Sequence, residues 1–185
     1  MRQCTANAPP YAHLNTKYTY YIYRMRILIV NTSERTGGAA VAAGRLVSAL
    51  NNSGVQARML VRDKQTTNPV VVALPKGVRS RWRFLWERWT IFWHLHFNRH
   101  NLFAIDVANT GADITSLREF KQADVIHLSW INQGMLSLST IRKIVNSGKP
   151  VVWTMHDIWP ATAICHLTLG CNNFKQQCRR CKYLP

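Results

Sequence analysis

The stretch from Arg26 to Val61 limits the fold more than any other. Ile27-Leu28-Ile29-Val30 is an unbroken apolar run of the kind seen in strands covered on both faces. It enters the polar loop Asn31 to Gly38. Ala39 to Leu50 follows, with Ala40, Val41, Gly44, Leu46, Val47 and Leu50 at helical spacing, and Asn51-Asn52-Ser53-Gly54 ends it. Val55 to Val61 reads as a second strand. Strand, glycine turn, helix and strand within about 35 residues make a βαβ unit, whose crossover sets the two strands parallel.

A second unit of the same kind closes the chain. Asp124 to Leu128 reads as a strand, Ser129 to Gly134 as its loop, and Leu136 to Asn146 as a helix with Leu138, Ile141, Ile144 and Val145 on one face. Pro150 to Met155 then reads as a strand buried on both faces, running into His156 and Asp157. Between the units, Ser116 to Gln122 suggests a short helix and Asn101 to Gly111 an irregular segment. The order predicts an α/β fold on a parallel sheet, in one domain covering 25–185. Residues 1–24, with Pro9-Pro10 and a Tyr-rich patch, read as a poorly ordered leader.

Twenty-four Lys and Arg against eight Asp and Glu give a net charge of +16. An anionic partner is expected: nucleic acid, an acidic membrane surface or a phosphorylated small molecule. No run reaches the roughly 18 to 20 apolar residues of a membrane span, and the N-terminus lacks a signal-peptide pattern, so a cytoplasmic location is expected. Arg79 to His100 is a helix candidate in which Trp82, Trp86, Trp89 and Trp93 share one stripe among Arg79, Arg81, Arg83, Arg88 and Arg99. It fits a core helix with a basic edge, a peripheral helix on an acidic membrane, or a nucleic-acid face.

Several residues suggest chemistry. Gly37-Gly38 lies where a phosphate or sugar can meet the N–H groups of a helix N-terminus. It matches neither the dinucleotide fingerprint nor the ATP phosphate loop, which argues against nicotinamide or ATP as cofactor. His127 and His156 end their strands on one sheet edge, and Asp157 with Trp130-Ile131-Asn132 completes a binding edge there. Cys165, Cys171, Cys178 and Cys181 are separated by five, six and two residues, with His166 as a spare nitrogen. Only the last pair has zinc-knuckle spacing, so structural zinc, loop-holding thiols and redox chemistry all stay open.

Three blocks carry a resemblance: M-R-I-L-I-V-N-T-S with T-G-G-A-A-V-A-A, A-D-V-I-H-L-S-W-I-N-Q-G-M-L-S-L, and G-K-P-V-V-W-T-M-H-D-I-W-P-A-T-A-I-C-H with the cysteine tail. Together they resemble the N-terminal half of group 1, family 4-like GT-B glycosyltransferases of the bacterial surface-polysaccharide type. The resemblance implies a Rossmann-like sheet with helices on both faces. It further implies retaining, metal-independent transfer of a hexose-like sugar from a UDP- or GDP-linked donor to a glycan or lipid-linked acceptor at the inner membrane face. Gly37 and Gly38 would approach the donor; His127, Trp130 and Asn132 would line the donor and acceptor site; His156 and Asp157 would be catalytic. The family's second domain has no counterpart before Pro185, so a truncated chain, inactive alone, is expected. The competing expectation is a non-catalytic basic module binding acidic lipid or, less favoured, nucleic acid.

Overall fold

The computed structural model describes residues 25–75, 78–95, 97, 99, 102–168, 170–178, 181 and 183, and of 78–81 the backbone alone. The leader 1–24, the side chains of Arg79 and Arg81, and His100, Arg179, Arg180 and Lys182 lie outside the described residues.

Five strands form one parallel sheet in the order β3-β2-β1-β4-β5: β1 (Arg26–Ser33), β2 (Gln56–Asp63), β3 (Val71–Ala73), β4 (Val125–Leu128) and β5 (Val151–Trp153). Strand β1 is central, pairing Ile29 with Met59 on one side and with His127 on the other. Because successive side chains alternate across a strand, β1 feeds two cores. Leu28 and Val30 join Ile126, Leu128, Ile141 and Ile144 on one face, whereas Ile29 joins Ala43, Val47, Met59 and Val61 on the other. Helix α1 (Gly38–Asn52) covers the second face. Helices α3 (Arg118–Gln122) and α4 (Leu138–Val145) cover the first, so the expected Rossmann-like α/β sheet with helices on both faces is present.

Side-chain assignments needed correction. Helix α1 buries Ala40, Ala43 and Val47 and leaves Val41 and Leu46 exposed; the small residues face the sheet because they let the helix approach it. Helix α4, capped by Ser137 Oγ accepting from Thr140 N at 3.2 Å, buries Ile141 and Ile144 and exposes Leu138 and Val145. Strand β5 is not covered on both faces. It lies at the end of the sheet, with Val152 exposed and Val151 and Trp153 half-buried. The three-residue β3 and the antiparallel bridge of Ile105 to Cys165 were absent from the sequence reading.

The largest correction concerns α2 (Val78–His94). Its tryptophans are not core: Trp82, Trp86, Trp89 and Trp93 are 65%, 61%, 53% and 61% exposed. Glu87, Arg88 and Ile91 are buried instead. Arg88 tolerates burial because Asp106, itself fully buried, faces it, with Arg88 Nη2 3.5 Å from Asp106 Oδ2 and Arg88 Nη1 donating to Leu102 O at 2.7 Å.

Candidate functional site

The carboxyl ends of β1, β2, β4 and β5 open onto one cleft of about 620 Å3. Thr32, Ser33, Thr36, Gly37, Gly38 and Ala39 come from β1 and α1, and Arg62 and Asp63 from β2. Trp130 and Gln133 follow β4, while His156 and Asp157 follow β5. The sheet order reverses between β1 and β4, which is where open α/β sheets bind ligands.

The glycine turn suits an anion. Gly37 has φ 89°, which favours glycine, and a Cβ added at Gly37 or Gly38 would meet nothing within 4 Å. No side chain caps α1 and its first turn holds no acid, so the positive end of the helix faces the cleft. Arg62 adds a guanidinium that is ion-paired with the Asp63 carboxylate beside it. Its guanidinium donates to Asp63 Oδ2 at 2.8 Å and to the carbonyl of Gln133, and stacks over the Phe84 ring at 5.5 Å.

The opposite wall is built around Asp157. Its Oδ1 accepts from Trp159 N at 2.9 Å; its Oδ2 accepts from Trp130 Nε1 at 3.1 Å and His166 Nδ1 at 2.6 Å. Both oxygens are engaged, so the carboxylate ties Trp130, Trp159 and His166 into one wall. His156 is exposed, with Nε2 2.9 Å from the buried Ser129 Oγ, which fixes the ring. His127 lies beneath the surface, 2.8 Å from Thr154 Oγ1; burial, and then the charge of His156, lower its pKa and favour the neutral ring.

Among the sequence-predicted residues, the fold therefore brings Gly37, Gly38, Trp130, His156 and Asp157 to one cleft. His127 and Asn132 are buried and do not line it. Sequence reasoning missed Thr32, Ser33, Thr36, Arg62, Asp63 and Gln133. It also gave His166 no place beside Asp157, where the hydrogen bond of His166 N to Ala104 O at 3.0 Å fixes the segment that carries it. Only the polar ending of a predicted strand hinted at Arg62. In the tail, Cys165 and Cys181 pack against Ile91, Ile105 and Ile164. Among the described residues no three His, Cys, Asp or Glu side chains gather in a group that could hold a metal ion. No described helix is long and apolar enough to cross a membrane.

Behind the cleft, Asp106 organises a buried polar knot. Its Oδ2 accepts from Gln133 N at 2.6 Å and its Oδ1 from Ala108 N at 2.9 Å, while Glu87 Oε1 also accepts from Ala108 N at 2.9 Å. Burial, followed by hydrogen bonding to Asp106 and its charge, raises Glu87 to a pKa of about 8. The folded state then holds a proton that the unfolded chain releases near the ordinary value of 4.5. The contribution of Glu87 to stability is therefore greatest below that value and falls as pH rises towards about 8, by a few kcal/mol at most. Glu87→Gln, which keeps both hydrogen-bonding roles without the charge, is expected to flatten this decline in urea melts across that range.

These features define a Rossmann-like α/β domain with a polar cleft at the strand ends. Over 63 residues the chain is 36% identical to a protein of Escherichia coli (strain K12) named "Putative colanic acid biosynthesis glycosyl transferase WcaC", covering 32% of this chain and 15% of that relative. The likeness supports a glycosyltransferase relationship. No family model matches the chain, and no solved structure matches it significantly.

Proposed function

We propose that the chain forms the acceptor-side half of a glycosyltransferase that moves a sugar from a nucleotide-linked donor to a glycan or lipid-linked acceptor. The observation that carries this reading is the convergence on one cleft of an uncapped glycine turn, Arg62 and the fixed, exposed ring of His156. In this reading the α1 N-terminus and Arg62 face the donor diphosphate and stabilise the negative charge that grows on it as the glycosidic bond breaks. His156 contacts the acceptor hydroxyl or the reacting sugar, and Asp157 positions Trp130 and His166. UDP- or GDP-linked sugars, and retention of configuration, are the finer form of the proposal, drawn from the family resemblance.

The test is nucleotide release from a panel of UDP- and GDP-sugars, with the chain alone and with a separately supplied C-terminal Rossmann-like half. Release by the reconstituted pair, reduced about 10²- to 10⁴-fold by His156→Ala, is expected for a group active in proton transfer. A pair that releases no nucleotide from any donor overturns the reading.

A further inference from the structure

The exposed face of α2 takes no part in the cleft, and its make-up calls for a partner. Trp82, Trp86, Trp89 and Trp93, each more than half exposed, lie with Leu85 about 180° round the helix from the buried Glu87 and Ile91. The aromatic surface continues past the helix end, where Trp93 meets Phe97 edge-on at 5.4 Å and Phe92 meets it at 5.3 Å. Trp82, Trp86, Trp89, Phe92 and Leu102 line an apolar groove of about 630 Å3, which Arg99 and the buried, Asp106-paired Arg88 also line. Arg99 is exposed, whereas Glu87, the one acidic residue of α2, is buried on the opposite side.

We infer that this face docks on an anionic lipid bilayer. Indole rings favour the boundary between headgroups and acyl chains, and a helix with a Trp ridge flanked by arginine can lie in that plane. The chain's charge of +16 complements a negative lipid surface. Nucleic acid is the poorer fit, because a phosphate-tracking groove would be lined by cations, and this one is lined mainly by carbon. The inference is independent of the sugar-transfer reading: lipid docking and donor binding occupy different surfaces and can fail separately.

The test is flotation of the 185-residue chain with vesicles of phosphatidylcholine alone or containing about one-third phosphatidylglycerol. The chain is expected to float with the anionic vesicles, weakly with the neutral ones, and less in high salt. Trp86→Ala with Trp89→Ala is expected to lower partitioning about tenfold or more with an unchanged circular-dichroism spectrum. Arg99→Glu, an exposed charge reversal, gives a second reading should the double variant misfold, and is expected to weaken anionic binding alone. Failure to float, equal flotation with both vesicle types, or flotation unaffected by these variants overturns the inference. So does Trp-dependent self-association or Trp-dependent RNA binding without vesicle binding.

Discussion

Asp106→Ala is expected to destabilise the fold by about 3–5 kcal/mol, the usual cost of removing one partner from a buried charged network. Asp106 is fully buried and accepts from Gln133 N at 2.6 Å and from Ala108 N at 2.9 Å, with the Arg88 guanidinium 3.5 Å away. Alanine leaves the Gln133 amide without its acceptor and strips Arg88, buried on α2, of a counter-charge. The effect reaches the cleft, because Gln133 sits at φ 59° and its carbonyl receives Arg62. A left-handed non-glycine residue persists only where its surroundings hold it, and here Asp106 does. Chemical denaturation of the variant measures the loss; an unfolding free energy within about 0.5 kcal/mol of wild type would show that the knot contributes little.

Gly111→Ala is expected to cost about as much, for a steric reason. A Cβ there would lie 2.2 Å from Ser137 N and 2.3 Å from Leu136 C. Both are backbone atoms, so no rotamer change relieves the overlap, and the Ala112 N to Met135 O hydrogen bond of 2.8 Å would have to open. The same displacement would disturb the Ser137 cap of α4. Overpacking a rigid site typically costs 1–3 kcal/mol, and backbone overlap lies at or above the top of that range, roughly 3 kcal/mol or more. Thermal melts of the variant check this, and an unchanged melting temperature would contradict the packing described between residues 111 and 136.

How much of this was legible depended on whether the deciding contacts were local. The strand Ile27 to Val30 and the glycine stop at Gly54 are local signals, and the parallel sheet followed from them. Helix α2 shows the opposite case. Its tryptophan stripe satisfied the apolar periodicity of a core face, yet the face that packs is Glu87, Arg88 and Ile91, because Asp106, 18 residues beyond Arg88, gives that guanidinium a buried counter-charge. Strand β5 read as doubly covered because Val151 and Val152 are β-branched; that it ends the sheet is a property of topology. In the cleft, His156 stood out because it follows a strand end and Gly37 because it opens a helix. Arg62 did not, since its role rests on the Gln133 carbonyl 71 residues away, and His166 depends on a chain reversal that no local pattern announces.

The central claim is that the strand-end cleft receives a nucleotide-linked sugar. The most direct measurement is an amide and indole NMR titration of the chain with UDP- and GDP-sugars up to about 1 mM, the upper end of common enzyme affinities. The account predicts saturable shifts of the Gly37, Gly38 and Ala39 amides and the Trp130 indole N–H, with at least one donor class, abolished by Arg62→Ala. Shifts confined to other surfaces, or none with either class, would contradict it.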